Sequence, residues 1–430
     1  MATRRSFLSR AGAASAAAVV FKDHALDVVE AAASTASNAS AAEVAANEDY
    51  WREIQGAFSL DRTMINLNNG GVCPSPRVVH DALKRYLDQS NQAPVWNMWQ
   101  QVEPGIEGVR RDLAAEFGCD PEEMAITRNA SESLEICIMG LDLKAGDEIL
   151  TTNQDYPRMI TAWKQRERRD GVILKQFSFP VPAPSMDDLY DRFVKGVTAK
   201  TKVILICHIT NLTGQIFPVK RVCEFARSRG IDVIVDGAHA FGQWPIKHAD
   251  VDCDFYGVSL HKWMLAPIGT GFLYVRRNRI KGLWPLMAAD AKQDDDIRKY
   301  EEIGTHPAAN HNAIAEAMVF HRGIGAERKS ARLRYLRDRW MKRLATDPRF
   351  VINTSFDPAM GCAIGNVGIR GVDTGKLQGH LWARKRIFTV AIVHAEYQGL
   401  RVTPNVYTTL DEIDAFAAEM EQVAAKGLPA

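Results

Sequence analysis

The 430-residue chain contains no apolar run approaching the roughly 20 residues needed to cross a bilayer, so no stable membrane insertion is expected. It lacks a dominant charge as well. Its 53 Lys and Arg stand against 52 Asp and Glu, leaving no bulk attraction for nucleic acid or for an acidic membrane surface. The seven cysteines, Cys73, Cys119, Cys137, Cys207, Cys223, Cys253 and Cys362, form no CxxC pair and no zinc-type spacing, so no metal site is expected. Their odd number leaves no complete disulfide framework, although an exported chain would have room for one or two bridges. None follows Cys362, which excludes chemistry that needs a thiolate late in the chain. What remains is an ordinary globular composition, 46% hydrophobic and 24% charged, long enough for a large core and two domains.

The informative residues gather between Val233 and Arg276. Residues 231–235, β-branched and apolar apart from Asp232, read as a buried strand delivering Asp236 at its C-terminal end, where open α/β sheets build their sites. A second strand at 255–259 ends in Ser259-Leu260-His261-Lys262. Pyridoxal 5'-phosphate (PLP) needs a lysine amine for a Schiff base and an anion facing its pyridine nitrogen, and Lys262 and Asp236 supply that pair. Either residue alone reads as a turn aspartate or a surface lysine. Together with Gly237-Ala238-His239 and the Gly-rich Gly269-Thr270-Gly271-Phe272-Leu273 they form a pattern whose context supports the cofactor reading.

From about Asn66 to Asp414 the chain resembles the class V aminotransferase family, within it the isopenicillin N epimerase-like group. The resemblance implies a PLP-dependent fold type I α/β protein, with a mostly parallel central sheet in a large domain and a smaller α+β C-terminal domain. It also implies a homodimer with its active sites at the subunit interface. The corresponding division is residues 1–47 as signal and low-complexity linker, 48–310 as the large domain and 311–430 as the small one.

Arg4-Arg5 followed by small and apolar residues resembles a twin-arginine export signal, which implies the twin-arginine machinery as a partner and a periplasmic location. The Ala/Ser-rich residues 31–46 read as a linker. Helices are expected over 77–89 and 106–117. Thr127-Arg128-Asn129-Ala130-Ser131-Glu132 opens a further helix, whose N-terminal amides suit a phosphate and equally suit a simple N-cap. A strand at 203–208 and a helix at 218–229 make a right-handed βαβ unit with the strand ending at Asp236. Residues 328–344 form a basic helix whose charges read as a solvated face.

The resemblance distributes roles over these segments. Gly71 lies in the substrate loop at 66–76. Ser131 takes the phosphate-binding hydroxyl position, and Ala130 stands where a second hydroxyl is often found. Tyr156 is the ring-stacking residue, Asn211 contacts cofactor hydroxyl and substrate, His239 contacts the same hydroxyl, and Ser259 and His261 grip the phosphate. Thr305 reaches the partner's phosphate. Arg401 holds the substrate carboxylate by bidentate hydrogen bonding. His208 is left structural. Lys262 is the base at Cα, which implies epimerase or transaminase chemistry on an amino acid or an amino-acid-terminated peptide. Alternatives are a C–S or β-elimination lyase and a non-catalytic binding protein. A persulfide-forming desulfurase is disfavoured, because Ile392-Val393-His394-Ala395-Glu396 has no cysteine.

Overall fold

A computed structural model describes residues 39–429. The export motif at Arg4 and Arg5 lies outside the described residues. Seven strands build the main sheet: β1 (Met124–Thr127), β2 (Glu148–Thr152), β3 (Ile173–Phe177), β4 (Thr201–Cys207), β5 (Asp232–Asp236), β6 (Phe255–Ser259) and β7 (Gly271–Val275). Their order is β1-β7-β6-β5-β4-β2-β3, parallel throughout except for β7, which runs antiparallel to both its neighbours. Val233, Ile234 and Val235 are fully buried, as a central strand covered on both faces requires.

Helices α1 (Arg77–Gln92), α2 (Ile106–Phe117), α3 (Ala130–Gly140), α4 (Pro157–Asp170) and α5 (Val219–Arg227) accompany this sheet. Gly271 shows how closely α3 approaches: a Cβ there would lie 2.5 Å from the Val258 carbonyl and 2.8 Å from Asn129 Cα, so only glycine fits beside the start of that helix. Helix α6 (Ala326–Leu344) leads into a four-stranded antiparallel sheet of β8 (Phe350–Ile352), β9 (Gly365–Ile369), β10 (Val390–Val393) and β11 (Gln398–Val402), ordered β10-β11-β9-β8. Helix α7 (Leu410–Lys426) starts on a Thr409/Glu412 capping box and packs Phe416 edge-on against Trp340 of α6.

Two sequence expectations change. The described end of the Ala/Ser-rich segment is a short helix, Ala41–Ala45, capped by Ser40 and Glu43, with Val44 and Ala45 buried. The basic helix α6 is not a solvated face. Lys329, Arg332 and Arg337 are buried, and Arg332 ion-pairs with Glu48 and donates to the Ala45 carbonyl at 2.9 Å.

Candidate active site

The parallel strands β2, β4, β5 and β6 point their C-terminal ends the same way, and the segments leaving those ends enclose a cavity of about 420 Å³. Gly71, Ala130, Ser131, Tyr156, Asn211, Asp236, His239, Ser259, His261, Lys262 and Arg401 all line it. Thr305 does not. It is exposed and lines a second cavity with Trp99, Glu302 and His311.

Strand register accounts for the floor. Cys207 pairs with Asp236 and Asp236 with Gly257, so the last residues of β4 and β5 lie side by side. Asp236 is buried, and its Oδ1 accepts from the Ala238 amide at 2.9 Å. Burial pushes its carboxyl up to about 6, opposed by that hydrogen bond and by the Lys262 charge. Burial likewise brings the Lys262 amine down to about 8 against the attraction of Asp236.

Lys262 Nζ lies 3.1 Å from His239 Nε2. Burial, then the charges of Lys262 and Arg401, hold His239 well below its ordinary pKa, so the ring is neutral. With the ammonium donating to Nε2, the ring proton sits on Nδ1, and that buried atom has no partner among the described residues.

Arg401 comes from β11 in the small domain. Nη1 donates to the Asn211 carbonyl at 3.0 Å and Nη2 to Asn68 Oδ1 at 2.7 Å, while the buried Nε is unpaired among the described residues. Burial lowers its pKa to about 10, with Tyr156 opposing. A buried guanidinium held only by neutral oxygens is poised for a carboxylate, since leaving such a charge uncompensated is costly.

A third wall is the start of α3. Asn129 caps it by accepting from the Glu132 amide at 2.9 Å, and Ser259 Oγ accepts the Ala130 amide at 3.0 Å, which leaves the serine proton free to donate. His261 Nδ1 lies 3.2 Å from the Thr270 carbonyl, and burial pulls this imidazole down to about 4. A neutral His261 therefore has an unprotonated Nε2, and an anion bound beside it would favour the imidazolium.

These groups fit PLP. Asp236 is a buried carboxylate for a pyridinium, Lys262 a depressed amine for an aldehyde, and Ser131, Ser259 and the α3 N-terminus offer donors to a phosphate. The unpaired His239 Nδ1 and Asn211 Oδ1 are a donor and an acceptor left for a polar ligand.

Cys207 and Arg158 on the lining, and Lys329 and His208 outside it, received no site role from the sequence. Cys207, given no role in the sequence, ends β4 on the cavity wall, where its Sγ donates to Asp155 Oδ1 at 3.0 Å. Burial and the Asp155 charge push its thiol well above the ordinary value, so it is no nucleophile. Its position at a strand end was the available signal. Arg158, two residues past Tyr156, stands exposed on the cavity lining. Lys329 is buried behind the site and donates to the carbonyl of Trp263, the residue after Lys262. His208, read as structural, has its Nδ1 2.8 Å from Tyr256 Oη.

Residues 65–416 match the family model described as aminotransferase class-V. The chain is 30% identical over 390 residues to an isopenicillin N epimerase of Streptomyces clavuligerus, covering 86% of this chain and 98% of that one. It is 27% identical over 280 residues to a probable cysteine desulfurase of Synechocystis, covering 61% of this chain and 66% of that one. Its fold is similar to the apo structure of a cysteine desulfurase from Thermococcus onnurineus, with a TM-score of 0.77, 21% identity and coverage of 88% and 98%. With the family model spanning most of the chain, the protein belongs to the class-V aminotransferase family of PLP-dependent enzymes.

Proposed function

We propose that the protein acts at Cα of an amino acid or of an amino-acid-terminated peptide, by epimerisation or transamination. The observation that carries this reading is the placement of Lys262, with a depressed amine, in one cavity with the carboxylate Asp236 and the guanidinium of Arg401, whose Nε has no partner among the described residues. PLP, when bound, supplies the electron sink that makes a Cα–H bond acidic. The chain does the rest. Arg401 holds the α-carboxylate, Lys262 Nζ takes and returns the proton, and His239 receives a hydrogen bond from that amine at 3.1 Å and so orients it. Asp236 would hold the pyridine nitrogen, Tyr156 the ring plane, Asn211 the ring hydroxyl, and Ser131, Ser259 and His261 the phosphate.

Candidate amino acids and peptides incubated with the loaded enzyme in deuterated water should exchange their α-hydrogen. Arg401→Ala should weaken that exchange by about 2–5 kcal/mol, the cost of losing one partner of a buried charge pair. Keto-acid formation selects transamination, and loss of optical purity without keto acid selects epimerisation. Absence of exchange from every candidate refutes both.

Relatives that cleave C–S bonds support a second reading, β-elimination from the same base. It requires no thiolate, consistent with the buried Cys207 and with residues 393–397, which contain no cysteine. Sulfide release from cysteine selects it.

Two further parts of the reading concern assembly and location. Thr305 would serve a second copy's site across a homodimer. Trp99 lines the same cavity as Thr305, and Val95 and Trp96 nearby in sequence are 66% and 63% exposed, the kind of apolar exposure that marks association surfaces. Arg4 and Arg5 would direct export of the folded protein to the periplasm. Replacing both with lysine should retain it inside the cell, and normal periplasmic recovery of that variant refutes the export route.

A further inference from the structure

The cavity carries more positive charge than the proposed chemistry uses. Among its lining residues Asp236 is the sole carboxylate, whereas Lys262, Arg401 and Arg158 are cationic. Lys262 is the base and Arg401 takes one carboxylate, which leaves Arg158 without an assignment.

Arg158 has no hydrogen-bond or ion-pair partner among the described residues. Its helix offers none: the residues three and four positions on are Thr161 and Ala162, and Thr161 Oγ1 is committed to the Pro157 carbonyl at 3.0 Å. The acids along α4 are engaged elsewhere, Glu167 with the Leu174 amide at 2.7 Å and Asp170 with Arg166 and Arg169. Asp155 faces inward, accepting from Thr151, Thr152 and Cys207.

The segment that leads to Arg158 is also held in place from the small domain. His394 Nε2 lies 3.2 Å from the Asn153 carbonyl, Tyr397 Oη donates to Gln154 Oε1 at 3.1 Å, and Glu396 accepts from Asn153 Nδ2 at 3.1 Å. That last contact engages Glu396, the one carboxylate among residues 394–397. Arg158 therefore lines the cavity from an anchored turn with its guanidinium uncommitted among the described residues. Arg401 is buried and Arg158 is exposed, so the two mark the deep and the open parts of one cavity. A planar guanidinium without an internal partner recognises a carboxylate bidentately.

We propose that Arg158 is an anion subsite that selects substrates bearing a second acidic group remote from Cα, so that the substrate class is an acidic amino acid or a peptide with a distal carboxylate. The assignment rests on the proposed Cα chemistry for its orientation, with Arg401 on the reacting end. It separates from the cofactor phosphate, whose donors are on the α3 wall.

The test is calorimetric titration of the PLP-loaded protein with straight-chain dicarboxylates of about four to seven carbons and with their monoamides, which differ only at the second acid. In the parent protein some dicarboxylate should bind about tenfold tighter than its monoamide, the scale of one charged hydrogen-bonded contact. Arg158→Gln should remove that preference while leaving monoamide binding unchanged, Arg158→Lys should keep part of it, and Arg401→Gln should weaken both series. Equal affinity for diacid and monoamide at every length overturns the proposal. So does an Arg158→Gln variant that weakens both series alike and loses PLP on dialysis, which would assign Arg158 to the cofactor. Failure of the chemistry is distinguishable: an Arg158-dependent diacid preference without any α-hydrogen exchange sustains the subsite and refutes the Cα reading.

Discussion

Replacing Lys329 with methionine should change stability with a sign that depends on pH. Lys329 is fully buried, donates to the Trp263 carbonyl, lies 3.3 Å from His321 Nδ1, and meets no carboxylate among the described residues. Burial lowers its pKa from 10.5 to about 7, with only Cys73 opposing. That difference amounts to about 5 kcal/mol at about 1.4 kcal/mol per pKa unit. Between pH 7 and 10.5 the unfolded chain keeps a proton that the folded chain has released, so stability rises with pH across that window and the full penalty applies below it. Methionine fills similar space and does not titrate, but it forfeits two hydrogen bonds of about 1 kcal/mol each. Lys329→Met should therefore be more stable than the parent by about 3 kcal/mol at and below pH 7. The advantage should shrink by about 1.4 kcal/mol per pH unit and reverse near pH 9. Denaturant unfolding of both cofactor-free proteins at pH 6 to 9 measures it. A stability difference that stays constant across that range refutes the burial argument.

Three further outcomes follow from the site. Borohydride reduction of the loaded protein and peptide mapping should find the pyridoxyl group on Lys262, and a label on any other lysine removes its assignment as the reactive amine. PLP binding to the cofactor-free protein should weaken as pH falls through about 6, where Asp236 takes up its proton, and Asp236→Asn should flatten that dependence in a dialysis titration. A mixture of Lys262→Ala and Thr305→Ala chains should recover activity that neither variant has alone if Thr305 serves a partner's site, and no recovery above the parents counts against sharing.

The large domain was legible because its site sits at strand ends. A β-branched run that stops at Asp236, an apolar stretch that stops at Ser259, and a Gly-rich return strand fix register and direction, and parallel pairing then brings the ends of β5 and β6 together. Helix 106–117 was read to its boundaries because its apolar period is regular and Gly118 ends it with a φ of 79°. Strand β3 was missed for the converse reason: it is an edge strand with exposed Ile173 and half-exposed Leu174 and Lys175, so it lacks the uniform apolar run that marked β5.

What stayed hidden depends on contacts between distant segments. Arg401 could be named from its motif, but its holders, the Asn211 carbonyl and Asn68, come from parts of the chain 190 and 333 residues away. The docking of residues 394–397 on Asn153 and Gln154 is equally non-local, and no local pattern encodes it.

The basic helix is the instructive case, because its error was correctable. Leu333, Leu336, Trp340 and Leu344 recur at spacings of three, four and four and are all fully buried, forming one stripe of α6. Stepping back four residues from Leu333 along that stripe lands on Lys329, so the period places this lysine on the inward face whatever its charge. Arg332 and Arg337 flank the same stripe, and their heads find Glu48 with the Ala45 carbonyl and Asp338 respectively. Charge content describes what a helix carries and position on the stripe decides where it goes, so a cation on the apolar face is a prediction of burial. At Lys329 that burial puts an amine against the carbonyl of Trp263, the residue after Lys262.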